Sequence, residues 1–220
     1  MFPVSDVIPS RTTPVVTIAL IALNAIAFVF ELTLDHRELQ QLVESFGMIP
    51  AALAWPSVVT STFLHAGWVH VGGNMLYLWI FGDNVEDRLG HARFLIFYLF
   101  CGAAAALGQL AADPSSTVPI IGASGAVAGV MGAYFVLYPQ SRVLTAVFVV
   151  VFMDLIEIPA IFFLGIWFLM QLLSGVGSIG VDTAEAGVAF WAHVAGFAAG
   201  AALGGIWRVA EPGEKKGWEY

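Results

Sequence analysis

The sequence predicts an all-α polytopic membrane protein built as a bundle of six transmembrane helices. Three observations carry this. Of 220 residues, 59% are hydrophobic and only 11% charged, with a mean hydropathy of +0.86. A soluble domain carries roughly a quarter charged residues. Apolar stretches recur along the chain, too many and too long for one soluble core. The basic residues fall almost entirely on one side of the spans these stretches define.

Residues 1–14 form a short N-terminal segment with Arg11 and several prolines, unlike a cleavable signal peptide. The six spans are expected near 15–34, 69–81, 94–111, 124–138, 159–173 and 187–209. Their punctuation is Asp35-His36-Arg37-Glu38 after the first, Gly82-Asp83-Asn84 after the second, Asp113-Pro114-Ser115-Ser116 after the third and Pro139-Gln140-Ser141-Arg142 after the fourth. The stretch 143–153 is apolar and β-branched but too short to span, and Asp154, Glu157 and Pro159 follow it. It reads as an interfacial or re-entrant piece. Residues 15–209 thus make one membrane domain, and 210–220 a C-terminal tail.

With both termini cytoplasmic, Arg11, Arg88, Arg93, Arg142, Arg208, Lys215 and Lys216 lie inside and only Arg37 outside. A seventh span at 143–153 would put Lys215 and Lys216 on the wrong side. The net charge of -8 comes from acids scattered through loops, and no basic patch suits nucleic acid. Cys101 stands alone within an apolar segment, so no internal disulfide is possible and its role is structural. Trp55, Trp68, Trp191 and Trp207 suit interfacial anchoring, and Trp167 a lipid-facing or core position.

Polar residues within hydrocarbon are costly and mark function. In this orientation spans two, four and six all descend from the outside. His70 and Asn74 lie near the start of span two, Ser124 opens span four, and His193 lies about two turns into span six. All four fall at one depth. Gly122-Ala123-Ser124-Gly125, with Gly129 and Gly132, and the stripe His193, Gly196, Gly200, Gly204 are small faces that let membrane helices close together. Ser124 and His193 could then act as nucleophile and general base. The backbone N–H of Ser124, free at a helix start, and the side chains of His70 and Asn74, four residues apart, could hold an oxyanion. No carboxylate falls at this depth, which implies a Ser–His dyad without an acidic third member. His65 orders the loop before span two, while His36 and His91 are solvated.

Each feature alone has a plainer explanation. Gly-Ala-Ser-Gly is a common packing motif, a lone intramembrane His is often structural, and Asn74 alone could be interhelical glue worth about 1 kcal/mol. Their coincidence at one depth favours an enzyme. A channel would carry polar residues across the whole membrane, whereas these cluster toward one side. A scaffold for transmembrane helices is the alternative. No His-Glu-x-x-His points to a metalloprotease, and no cofactor or metal is expected.

At these residues the chain resembles the rhomboid family of intramembrane serine proteases. The matching motifs are His65-x4-His70-x3-Asn74, Gly122-Ala123-Ser124-Gly125 and Ala192-His193-x2-Gly196-x3-Gly200. The resemblance implies a six-helix rhomboid-like bundle with Ser124 as nucleophile, His193 as base and His70 and Asn74 in the oxyanion hole. It also implies transmembrane protein substrates in a lipid bilayer, cut in or near the outer part of their helices, and a substrate gate and cap made by span five and loop 174–186. A multi-pass protein of a prokaryotic cell membrane is expected. Two positions depart from the family pattern. Trp55 is followed by Pro56 where many bacterial members have Trp-Arg, and Ala128 stands where some place an aromatic against the catalytic imidazole. The support of His193 must then come from backbone packing or from an aromatic on another helix.

Overall fold

The computed structural model describes residues 2–149, 152–178 and 189–211. Among these, the order is β1 (Phe2–Asp6), α1 (Val15–Glu31), α2 (His36–Phe46), α3 (Ser57–Thr60), α4 (Trp68–Leu89), α5 (His91–Ala112), α6 (Ser124–Leu137), β2 (Arg142–Val149), β3 (Phe152–Pro159), α7 (Ala160–Gly177) and α8 (Phe190–Ala210). The molecule is mostly helical. Helices α5, α7 and α8 are long and apolar enough to cross a membrane, with mean hydropathies of 1.9, 1.9 and 1.2. Helices α1 and α6 are apolar but shorter.

Helix α6 is the centre of the molecule. It has 14 residues, a rise of about 21 Å, less than a bilayer core needs. It need not meet lipid, because every residue from Gly125 to Tyr134 is buried. Helices α4, α5, α7 and α8 surround it, and α8 packs on it most extensively. The contact is close because it is made of backbone. A β-carbon at Gly196 would lie 2.1 Å from the Gly125 carbonyl oxygen, one at Gly200 1.8 Å from that of Gly129, and one at Gly132 2.1 Å from that of Phe197. Close approach replaces the hydrophobic effect, which is absent between helices in lipid. Cys101 is free and fully buried.

Three expectations are corrected and one is extended. The residues 35–38 do more than end the first helix. Asp35 accepts from the Arg37 and Glu38 amides while Glu38 accepts from the Asp35 amide, a capping box that starts the amphipathic α2.

The second apolar helix does not stop at Gly82-Asp83-Asn84 but continues to Leu89. Its polar end is covered by the N-terminal segment: Ser10 bonds Asp83, the Asn84 side-chain Nδ2 donates to the Ile8 carbonyl, and the backbone amides of Arg11 and Thr12 donate to Asp87. Fully buried Glu86 accepts from the amides of Val16 and Thr17 and from the Thr17 hydroxyl, at 2.8–2.9 Å. Pro14 has no side chain to cap α1, so a carboxylate from α4 satisfies its first amides instead.

His91 is therefore not simply solvated. Its Nδ1 meets Glu86 at 2.6 Å.

The fold is also not all-α, and 143–153 is not an interfacial or re-entrant piece: its described residues belong to a hairpin. Strands β1, β2 and β3 form an antiparallel sheet in that order. In it Arg142 pairs with Pro159 and Val149 with Phe152, while β1 meets β2 across a bulge between Pro3 and Ser5. A β-branched run too short to span satisfies its backbone through a hairpin instead. Val143, Thr145 and Ala146 are buried, and Arg142 bonds Glu157 at 3.1 Å. Asp6 at the end of β1 receives the hydroxyl of Tyr134, which also meets Ser141. Sheet and N-terminal segment close one end of the bundle, and the polar cluster of Ser124 and His193 lies at the other.

Candidate active site

Ser124 is the first residue of α6, and no side chain caps this helix. Its leading amides therefore have no intrahelical partner. The turn before it is set by Gly122, whose φ of +117° belongs to glycine. A β-carbon there would lie 2.5 Å from His70 Nε2 and 3.5 Å from Asn74 Nδ2. The Gly122 amide donates to the Ser61 carbonyl at 2.9 Å, so the turn Ser61–Phe63 before α4 holds the strand leading into the serine.

His193 stands one turn into α8, which begins at Phe190; the earlier start expected at 187 lies outside the described residues. The Ala192 amide, one of the free amides of this helix start, donates to the buried side-chain oxygen of Gln109 on α5. From this position His193 Nε2 meets Ser124 Oγ at 2.8 Å. The side chains come from helices 69 residues apart in sequence, joined by the Gly125–Gly196 and Gly129–Gly200 contacts.

The other nitrogen of His193 meets Gln171 Oε1 on α7, also at 2.8 Å. The ring of Trp167, one turn earlier on α7, lies 5.9 Å from the imidazole. Trp167 packs against the core, as expected of one of its two alternatives, and from there also walls the site. It supplies the aromatic that Ala128 does not. Gln171 is not singled out by the sequence pattern, and Trp167 is read there as lipid-facing or core and not as part of the site. The signal that could have found them is their i, i+4 spacing on a helix otherwise free of polar side chains until Ser174.

His70 and Asn74 share one face of α4. The Ala66 amide donates to His70 Nδ1 at 3.3 Å, which leaves the proton on Nε2, the atom beside Gly122. Asn74 Nδ2 lies 3.0 Å from His65 Nε2. One of its two N–H bonds serves His65, and the second is free to face the cavity. His65 is 3% exposed. Burial, with the nearby His70 ring adding to it, pushes its pKa down to about 4, so it stays neutral and accepts from Asn74.

A carboxylate does lie at this end of the bundle, contrary to expectation. Buried Glu31, at the end of α1, receives the His65 amide at 3.2 Å through both oxygens. It anchors the loop, while the group facing His193 Nδ1 is an amide. Gly125, Gly196 and Gly200 are the close-contact positions of the α6–α8 interface.

A cavity of about 850 Å³ is lined by Trp68, His70, Asn74, Ser124, Trp167, Gln171 and His193. Ser124 and His193 are half-buried, so a reactant can reach them. Chemically the arrangement offers a hydroxyl beside an imidazole and several N–H donors converging on the turn before that hydroxyl. Residues 179–186 of the expected cap lie outside the described residues, while 174–177 continue α7. Among the described residues no group of His, Cys, Asp and Glu side chains is arranged to hold a metal ion.

A family model described as Rhomboid domain matches residues 52–209. The Rhomboid-like protein 11, chloroplastic, of Arabidopsis thaliana is 43% identical over 76 residues, 34% of this chain and 27% of that protein. The Rhomboid protein 1, mitochondrial, of Saccharomyces cerevisiae is 36% identical over 96 residues, 42% of this chain and 28% of that protein. The Rhomboid protease GluP of Bacillus subtilis is 39% identical over 88 residues, 40% of this chain and 17% of that protein. The matches thus span less than a third of each of these relatives. They come from a chloroplast, a mitochondrion and a bacterium, so the likeness selects no compartment.

Proposed function

The chain belongs to the rhomboid family, and from that premise we propose that it is an intramembrane serine endopeptidase acting through a Ser124–His193 dyad. The observation that carries the reading is the 2.8 Å contact of His193 Nε2 with Ser124 Oγ. His193 takes the hydroxyl proton as Ser124 attacks the scissile carbonyl, then returns it to the leaving amide nitrogen. The negative oxygen is held by the Ser124 N–H, His70 Nε2–H and Asn74 Nδ2–H, donors in place before charge develops. Water entering the cavity from the site end hydrolyses the acyl-enzyme by the same proton route in reverse.

In this reading α1, α4, α5, α6, α7 and α8 are six spans, with the sheet and both termini cytoplasmic and the site below the outer surface of a prokaryotic cell membrane. The substrate is the transmembrane helix of another protein. Its carbonyls are satisfied internally until the helix unwinds, so cleavage is favoured where Gly or Pro already weakens it. Helix α7 is the moving wall for lateral entry. It follows Pro159 and packs on its neighbours far less extensively than α6 does, with Phe162, Leu169, Met170 and Leu173 exposed.

The test is labelling of purified protein with a fluorophosphonate, together with cleavage of a model transmembrane substrate. Wild type should label at Ser124 and cleave, and Ser124→Ala and His193→Ala should do neither while melting normally. Near-wild-type turnover by either variant would rule out the dyad, whereas a wild type that neither labels nor cleaves would favour a scaffold for transmembrane helices.

A further inference from the structure

His193 makes two polar contacts, Nε2 with Ser124 and Nδ1 with Gln171, each at 2.8 Å. A neutral imidazole carries one proton, and the partner of one nitrogen decides which form the other presents. The atom facing Nδ1 is an amide oxygen, which can only accept. The proton therefore sits on Nδ1, and the Nε2 lone pair faces the serine hydroxyl. With the proton on Nε2, that N–H would donate to the Ser124 oxygen, and His193 would have no lone pair there to take the serine proton.

We propose that Gln171 is the positioning residue that holds His193 in its base-competent tautomer, and that its place on α7 makes this hold conditional on α7 being seated. This rests on the dyad reading above. Three features of the structure support it. Apart from the Ser124 contact itself, α6 offers the ring no aromatic wall, since Ala128 stands one turn after the serine. Both contacts to the imidazole from α7, Trp167 at 5.9 Å and Gln171 at 2.8 Å, lie on one face of a single helix, one turn apart. And α7 is peripheral, packing mainly on α8, less on α6 and on β2 and β3, with its opposite side exposed.

The consequence is a coupling. When α7 swings out to admit a substrate helix, His193 loses its acceptor and its aromatic wall together. The base becomes competent again only when α7 returns. The polar contact that aligns the nucleophile's partner therefore also reports that the site is closed.

The test uses the full chain in detergent micelles, with Gln171→Leu removing the acceptor at similar size and Gln171→Glu keeping an oxygen at the same reach. Long-range ¹H–¹⁵N spectra of ¹⁵N-histidine protein, with His193→Ala identifying the signal, read the tautomer without substrate. Wild type should show the Nδ1–H form and Gln171→Leu a mixture of both, with thermal melts confirming that each is folded. On a model transmembrane substrate, kcat of Gln171→Leu should fall about 10- to 100-fold with KM within about twofold, part of the roughly 100- to 10,000-fold that a positioned base contributes. Gln171→Glu should restore the Nδ1–H form and most of kcat. A Gln171→Leu protein with the wild-type tautomer, or Gln171→Glu failing to restore what Leu removes, would overturn the proposal. Failure of the dyad reading looks different: wild type would neither cleave nor label, whatever tautomer His193 shows.

Discussion

Replacing Gly200 by alanine adds one methyl group, and the structure says where it must go. Its β-carbon would lie 1.8 Å from the Gly129 carbonyl oxygen, about 1.6 Å short of an ordinary 3.4 Å contact, with the Gly129 carbonyl carbon and Cα also within 2.7 Å. These are backbone atoms of the central helix, so no side chain can rotate away. Either α8 or α6 must move. Gly196 has the same problem nearer the reaction, with a β-carbon 2.1 Å from the Gly125 carbonyl oxygen. Gly196 is three residues from His193, about 4.5 Å along the axis, and Gly200 seven, about 10.5 Å.

A displacement of about 1 Å between reacting groups costs on the order of 100-fold in rate. Gly196→Ala should therefore lose at least about 100-fold in kcat/KM. Gly200→Ala, acting from further off and partly absorbed by tilt, should lose about 10- to 100-fold. Overpacking of this kind also destabilises by about 1–3 kcal/mol. Gly205→Ala on the same helix is the control. Its β-carbon would meet nothing closer than Val136 at 3.9 Å, so it should retain full activity and gain up to about 1 kcal/mol from better helix propensity. Turnover of a model transmembrane substrate, labelling rate at Ser124 and thermal melts in one detergent measure all three. A Gly200→Ala protein with wild-type melting and turnover would show that the α6–α8 contact does not set the distance between Ser124 and His193.

Three further outcomes follow from the geometry. Asn74→Ala should lower kcat by no more than about 100- to 1,000-fold, the cost of a dominant oxyanion donor, because His70 and the Ser124 amide remain; complete loss of activity in a folded Asn74→Ala protein would mean its main task is holding His65. Joining α7 to α4 through cysteines introduced at Leu172 and Trp68, with Cys101 replaced, should stop cleavage of transmembrane substrates while small soluble probes still label Ser124; undiminished cleavage by the cross-linked protein would place the gate elsewhere. Asp6, buried against Tyr134, has its carboxyl pKa raised from 3.8 to about 7, chiefly by burial, with Asp83 nearby adding to it. The folded form thus holds the proton more tightly than the unfolded form, so this group's contribution to stability is lost as pH rises from about 4 to 7. Asp6→Asn, which stays neutral and still accepts from Tyr134, should exceed wild type in melting temperature by clearly more at pH 8 than at pH 5; an equal difference at both pH values would refute it.

Much of this protein can be read from local pattern, because lipid leaves few options. A backbone in hydrocarbon must satisfy itself, so apolar length, punctuating polar residues and small-residue stripes already define a helical membrane protein. That is why the family and most of the helix positions are legible, and why His65, His70, Asn74, Ser124 and His193 stand out against an apolar background. What the chain does not announce is which polar group on one element satisfies which on another. Gly82-Asp83-Asn84 reads as a helix end, yet the N-terminal segment covers Asp83, Glu86 and Asp87 and α4 runs on to Leu89. The stretch 143–153 is too short to span, and only its pairing with β1 and with the residues after it turns it into a sheet. Gln171 and Trp167 lie on a helix whose sequence marks it as lipid-facing. Only the rotation of α7 against α8 turns that face to His193. Local sequence determined where backbone polar groups are satisfied within a helix; tertiary structure alone decided where side chains from distant helices meet, since that depends on the separation and rotation of packed helices, which no local spacing encodes.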